Sequence, residues 1–270
     1  MKLKIKIIYL IALLVLIVFI IIGLNNKVIT TTYYIEDKRL KKGFKVILIT
    51  DTHSCKYGEG QREVLDKIAS EKPDLILLSG DIIDDDLPME LGFWTVKKIA
   101  EFAPTFYVTG NHEIWSQKYD YIKDRIRAFG IKVLEGNGES IEINGNEILI
   151  MGLDDLEIGG EYNRQLMDLE KVHSDKLTFL LAHRPERLMD YDRLDLDYVF
   201  SGHAHGGQWR LPVILERGLL APNQGLFPKY TVGVNDLGSY RLIVSRGLSR
   251  ESTIIPRFYN PPEVVVINFE

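Results

Sequence analysis

One cysteine, Cys55, is all the thiol chemistry available to this 270-residue chain. No intramolecular disulfide can form, so the fold must rest on its core or on something bound, such as metal. Positive charge is also short: 33 Lys and Arg stand against 38 Asp and Glu, for a net charge of −5. Lys2, Lys4 and Lys6 are the only charges before Lys27, so residues 27–270 alone carry −8. An acidic body does not suit tight binding to a phosphate backbone, and no nucleic-acid partner is expected. Internal repeats and low-complexity linkers are missing as well. With 46% hydrophobic and 26% charged residues the chain has the proportions of a folded protein, which excludes disorder as its main state.

From Ile7 to Leu24 there is no charge and nothing more polar than Tyr9 and Gly23. As a helix, residues 7–24 would reach about 27 Å, close to the ~30 Å hydrocarbon core of a bilayer. A core helix of a globular protein would show a polar stripe over this length, and none is present. Gly23-Leu24-Asn25-Asn26-Lys27 offers no Ala-x-Ala cleavage pattern, which favours an uncleaved anchor over a signal peptide. The expected division is a cytoplasmic N-terminus at 1–6, a transmembrane anchor at 7–24, a linker with a first strand at 25–42, and one globular domain at 43–270. The three lysines ahead of the span set the body on the extracytoplasmic face of the cell membrane, against the opposing pull of Lys38, Arg39, Lys41 and Lys42.

Within the body, short apolar runs alternate with longer amphipathic ones. Phe44–Thr50, Asp74–Ser79 and Thr105–Thr109 read as strands, and Gln61–Ser70, Met89–Phe102 and Gln117–Phe129 as helices. That alternation predicts βαβ units and a mainly parallel sheet. Ser140–Asn144 and Glu147–Met151 then flank Asn144-Gly145-Asn146, a strong hairpin signal. Leu177–Ala182 and Tyr198–Ser201 follow as further strands. The last seventy residues, with strand-like pieces at Tyr240–Ser245 and Val264–Phe269, predict an antiparallel second sheet. The fold class expected is α/β: a four-layer α/β/β/α sandwich of two mixed sheets with flanking helices, plus one N-terminal transmembrane helix.

Five of the six histidines, His53, His112, His183, His203 and His205, stand at or just after the end of an apolar run, in turns rich in Asp, Asn and Gly. In an open α/β sheet the carboxyl ends of strands are where ligands bind. Asp51 and His53, two apart in an extended segment, can reach one ion together. Gly80, Gly110 and Gly202 let the backbone turn sharply and bring short side chains to a common centre. Oxygen and imidazole donors without thiolate suit Mn²⁺, Fe or Zn²⁺, and there are too many for a single four-coordinate site. Two divalent ions bridged by a carboxylate would trap a water between them, lower its pKa and aim it at phosphorus.

Asp51-Thr52-His53, Gly80-Asp81, Gly110-Asn111-His112-Glu113, Ala182-His183 and Gly202-His203-Ala204-His205-Gly206-Gly207-Gln208 resemble, in order, the five signature blocks of the calcineurin-like metallophosphoesterases. The likeness runs from about Gly43 to the C-terminus and is greatest to the membrane-anchored bacterial branch, whose ending Ser245-Arg246-Gly247-Leu248 and Asn260-Pro261-Pro262-Glu263 resemble. The resemblance implies that Asp51, His53 and His205 hold one metal, that Asn111, His183 and His203 hold the other, and that Asp81 bridges. It implies that His112 is no ligand but the general acid or charge stabiliser beside the leaving group. Thr52 stands where the family often has leucine, at a position whose side chain should point away from the metals.

Other residues weigh less. His173 reads as a solvated surface residue, and Asp84-Asp85-Asp86 as a solvated loop from which Asp84 could support a ligand. Arg184 is a candidate for binding substrate phosphate, with a surface ion pair to Glu186 as the bland alternative. No second cysteine exists to join Cys55 in a thiolate site, and Trp94, Trp115 and Trp209 read as packing. The function expected is a membrane-anchored binuclear hydrolase of a phosphoester, phosphodiester or pyrophosphate bond, with a lipid- or envelope-linked phosphate as an attractive substrate. The alternative from another class is a membrane-tethered, non-catalytic binding protein on the same fold. The loops from Gly206 to Asn235 and Leu153 to Arg164, which carry no readable motif, would choose the substrate.

Overall fold

The computed structural model describes residues 2–250 and 255–270. In chain order it holds α1 (Lys2–Gly23), β1 (Ile29–Ile35), β2 (Phe44–Ile49), α2 (Arg62–Glu71), β3 (Leu75–Ser79), α3 (Met89–Ile99), β4 (Thr105–Val108), α4 (Asn111–Trp115), α5 (Tyr119–Arg127), β5 (Lys132–Val133), β6 (Asn137–Ile143) and β7 (Asn146–Leu153). There follow α6 (Gly160–Leu169), β8 (Leu177–Ala182), α7 (Leu188–Tyr191), β9 (Tyr198–Ser201), β10 (Leu220–Ala221), β11 (Gly225–Leu226), β12 (Gly233–Asp236), β13 (Arg241–Val244) and β14 (Glu263–Phe269).

Two six-stranded sheets form, in the orders β1-β14-β2-β3-β4-β5 and β12-β13-β9-β8-β7-β6. Both faces of each central strand are covered, which is why the strands read as unbroken apolar runs. In β2, Val46 and Leu48 face the second sheet while Ile47 and Ile49 face helices α2 and α3. In β8, Phe179 and Leu181 face the first sheet while Leu180 and Ala182 face α6. Period-two alternation thus feeds three cores from one set of strands, giving the α/β/β/α order of layers. At the hairpin, Asn144 (φ 53°) and Gly145 (φ 81°) both take positive φ, as a tight two-residue turn requires, and Ile143 pairs with Asn146.

The C-terminal part departs from expectation. Val264–Phe269 does not join the second sheet: β14 inserts into the first, antiparallel to β2 and parallel to β1. The second sheet is mixed rather than antiparallel, because β13 runs parallel to β9 and only its outer pairs reverse. The first strand, Ile29–Ile35, pairs along its whole length with β14. Among the described residues one helix is long and apolar enough to cross a membrane: Leu3–Gly23, with mean hydropathy 3.3 and only Gly23 buried. A membrane span or a signal sequence would have this length and composition.

Candidate metal centre

The C-terminal ends of β2, β3, β4, β8 and β9 meet on one rim, and every proposed ligand stands there. Backbone bonds tie the turns together: Asp51 donates to the carbonyl of Gly80 (3.1 Å), His53 to that of Asp81 (3.0 Å), and Gly202 to that of His183 (2.9 Å). Ser79 Oγ, which bonds the carbonyls of Ala182 (3.0 Å) and Phe200 (2.9 Å), joins the two sheets beneath the rim.

The local backbone differs from the extended geometry expected of Asp51 and His53. Asp51, His53, Asp81, His203 and His205 all lie at φ between 45° and 60°, a left-handed region in which non-glycine residues are uncommon. Such outliers gather at functional sites when the surroundings enforce them. Gly80 turns through positive φ (76°), whereas Gly110 and Gly202 serve close approach. A Cβ on Gly110 would collide with Asp81, and one on Gly202 with Asp51 and Thr50.

Seven side chains converge. Asp81 Oδ2 lies 3.0 Å from His183 Nε2 and 3.8 Å from His53 Nε2, and Asp81 Oδ1 accepts from the backbone N–H of His112 (2.9 Å). His205 Nε2 is 3.3 Å from Asp51 Oδ1, which also accepts from the backbone N–H of His203 (3.0 Å). Two donor groups compact enough for an ion result: Asp51, His53, Asp81 and His205, and Asp81, His183 and His203. Asn111 is buried beside them, at the start of α4 on the same cleft. Asp81 belongs to both groups.

The residues fit divalent cations on their own evidence. Asp51 Oδ2 and Asn111 Oδ1 are buried without a hydrogen bond, a costly state unless something else meets them. Burial disfavours charge on His183, yet the Asp81 and Asp51 carboxylates push its pKa up to about 10. So much negative charge in one buried place calls for cations. The tautomers are also prepared. His183 Nδ1 donates to the carbonyl of Ser79 (2.8 Å), and His53 Nδ1 meets Asp84 Oδ2 (3.0 Å), leaving Nε2 of each toward the centre. For His203 the roles reverse: Nε2 meets Asn223 Oδ1 at 2.8 Å, leaving Nδ1.

Asp84 and Asp85 do not form a solvated loop. Asp84 is buried, caps the turn by accepting from the backbone of Asp86 and Leu87, and reaches both His53 and His112. Asp85 Oδ1 sits 2.6 Å from His112 Nδ1. Burial opposes charge on His112, but Asp84, Asp81 and Asp85 outweigh it and raise its pKa to about 10. The trio His53, Asp84 and His112 is compact too, with Asp84 Oδ2 at 3.0 and 3.3 Å from the two Nδ1 atoms.

Arg184 is not a surface residue. Its side chain is 4% exposed and grips Asp155 through Nε (2.7 Å) and Nη2 (3.0 Å), with Glu157 and Asn223 as further acceptors. Glu186 takes no part in that grip. Thr52 points away from the centre, bonding the carbonyl of Ile82 (2.7 Å). His173 is exposed and Cys55 buried. Trp94 is 41% exposed, whereas Trp115 packs against the His112 ring at 5.0 Å and lines the cleft.

Glu113 escaped the sequence reading although it closes the Gly110-Asn111-His112-Glu113 block. It is fully buried and its carboxylate accepts four backbone N–H groups, those of Gly110, Asp81, Ile82 and Ile83, at 2.7 to 2.9 Å. It therefore holds the turn that aims Asp81. The one available signal was a long acid in a turn otherwise built from short residues.

Above the centre lies a cleft of about 730 Å³ lined by Asp81, Asn111, His112, His203, His205 and Arg184, with Trp115, Leu220, Pro222 and Ile255 as apolar wall. A sequence model described as calcineurin-like phosphoesterase matches residues 44–207. The chain belongs to that family. As a calcineurin-like phosphoesterase it is a metal-dependent phosphoric ester hydrolase acting on phosphate esters, and its buried Asp and His cluster is the metal-binding site. It is 29% identical over its whole length to an uncharacterized metallophosphoesterase of Campylobacter jejuni, covering 71% of that protein. It is 30% identical over 84% of its length to YkuE, an uncharacterized metallophosphoesterase of Bacillus subtilis, covering 79% of it. It is also 28% identical over 76% of its length to the phosphodiesterase YaeI of Escherichia coli, covering 75% of it.

Proposed function

We propose that this chain is a membrane-anchored phosphoesterase with a dimetal centre, in which Asp51, His53 and His205 hold one ion, Asn111, His183 and His203 hold the other, and Asp81 spans both. The observation that carries this reading is the Asp81 carboxylate, set between an imidazole of each half at 3.0 and 3.8 Å. The donor set suits Mn²⁺, Fe or Zn²⁺. When bound, such a pair of ions supplies a nucleophile at neutral pH and neutralises charge on the phosphoryl oxygens.

The chain's own residues do the rest. His112 has its Nδ1 held by Asp84 and Asp85, which leaves Nε2 as the nitrogen turned to the cleft. Kept protonated by those carboxylates, it gives its proton to the leaving oxygen as the P–O bond breaks. Arg184 is braced by Asp155, Glu157 and Asn223, with one Nη1 N–H left for a phosphate oxygen at the cleft wall. The apolar wall leaves room for an organic group beside the phosphate, so a diester or pyrophosphate carrying a lipid-linked part suits it. Residues 7–24 as an anchor, with the body at 43–270 outside the cytoplasm, would keep the cleft close to such a substrate. The similarity to a phosphodiesterase supports the diester.

The test is turnover of bis-p-nitrophenyl phosphate by chelator-stripped protein, before and after Mn²⁺, Fe²⁺ or Zn²⁺ is returned. Hydrolysis restored by at least one of the three is expected. Equal turnover with and without metal would remove the dimetal reading.

A further inference from the structure

Away from the metal centre, the most exposed apolar residues outside α1 include Val213 (88%), Ile214 (83%), Phe227 (70%) and Leu226 (68%). They occupy one segment, residues 211–229, which carries only Glu216, Arg217 and Lys229 as charged groups. The segment is not loose. A tight turn carries Val213 and Ile214, closed by Leu215 N–H on the Leu211 carbonyl (2.8 Å), and Phe227 donates to the Leu219 carbonyl (2.8 Å). An apolar set held outward by an ordered backbone is unusual on a surface facing water, and marks a place of contact.

Its neighbours say what it contacts. Leu219 donates to the carbonyl of Trp209 (2.8 Å), and Arg210 to that of Phe258 (2.8 Å). The Trp209 ring, 42% exposed, packs on Phe258 at 5.7 Å. Phe258 and Tyr259 in turn pack on Phe19 of α1 at 5.7 and 5.0 Å, and Tyr259 Oη bonds the Phe19 carbonyl at 3.0 Å. A continuous hydrogen-bonded and aromatic path thus runs from the apolar helix to the exposed tips. Leu220, Pro222 and Asn223, between those tips, line the metal cleft.

We infer that residues 211–229 are a membrane-seating surface: Val213, Ile214, Leu226 and Phe227 enter the headgroup and upper acyl region beside α1. Arg217 and Lys229 meet lipid phosphates, and Trp209 sits at the interface. This rests on reading α1 as a membrane span. Seated this way, the cleft opens at the bilayer surface, where an amphiphilic phosphoester reaches the centre without leaving the lipid.

Full-length protein in the Cys55→Ala background, with single Phe227→Cys, Ile214→Cys, Leu14→Cys or Lys132→Cys substitutions carrying the fluorophore NBD, tests this in phosphatidylcholine–phosphatidylglycerol vesicles. Turnover of bis-p-nitrophenyl phosphate verifies that each labelled protein is folded. Labels at positions 227 and 214 should shift to the blue and lose emission most to a nitroxide placed high on the acyl chain, the label at 14 to one placed deep, and the label at 132 to neither. If 227 and 214 behave like 132 while 14 stays quenched, the seating surface is wrong and the anchor stands. If 14 also behaves like 132, the anchor reading fails and takes this one with it.

Discussion

The metal rim and the segment from Gln208 to Lys229 share one cleft and are built in opposite ways. At the rim, Asp51, His53, Asp81 and His183 are essentially sealed from water and are tied down by bonds between neighbouring turns. In the segment, large apolar side chains stand in the open on a short hydrogen-bonded frame. The difference teaches that the centre is fixed by over-determined geometry, whereas access to it is governed by a surface that keeps its large apolar side chains in the open. Damage to the rim should therefore be severe, and damage to the exposed tips at Val213, Ile214, Leu226 and Phe227 mild for any small soluble ester.

The largest effect is expected from Asp81→Ala, which takes a donor from both halves at once. Metal content should fall together with turnover, read by elemental analysis beside bis-p-nitrophenyl phosphate hydrolysis. Glu113→Ala comes next. It strands four buried N–H groups, so stability should drop by about 3 kcal/mol, or about 6–12 °C in melting temperature, with metal affinity weakened too. A scanning calorimeter that finds the melting point unchanged would show that the Asp81 turn holds itself.

His112→Ala should lower kcat by about 10² to 10⁴ while leaving metal content intact, since Nδ1 bonds Asp84 and Asp85 and no metal contact is assigned to it. Arg184→Lys keeps the charge but loses the paired grip on Asp155. KM should rise by roughly tenfold, about 1.4 kcal/mol, with a smaller change in kcat. Smallest of all, Phe227→Ser should change stability by less than about 0.5 kcal/mol and leave turnover of the soluble ester unaltered. A large loss there would place the segment in the chemistry and erase the contrast.

How far the sequence foretold this differs by region for physical reasons. Strands β2, β3, β4, β8 and β9 were legible because burial on both faces leaves an unbroken apolar run, and the hairpin because Asn144-Gly145 tolerates positive φ. The partnership of β1 with β14 was not, since the pairing Ile29 with Glu263 spans most of the chain and neither strand names its mate. The strand-end ligands were visible as motifs. Their left-handed backbone was not, because Asp and His tolerate that conformation without requiring it, and the neighbouring turns decide. Asp84 was the one residue of its charge run read as able to support a ligand, and it does meet His53, whereas Asp85 looked solvated and only the fold turns His112 to meet it. Glu113 hid inside a motif whose chemistry seemed complete without it.

The central claim, that Asp81 joins two ions and His112 holds neither, is tested most directly by metal stoichiometry of the detergent-solubilised full chain. Wild type, His112→Ala and Asp81→Ala would be measured by plasma mass spectrometry in the same preparation. The account predicts about two ions per chain in the first two proteins and a clear loss in the third. Loss of metal in His112→Ala, or its full retention in Asp81→Ala, would contradict it.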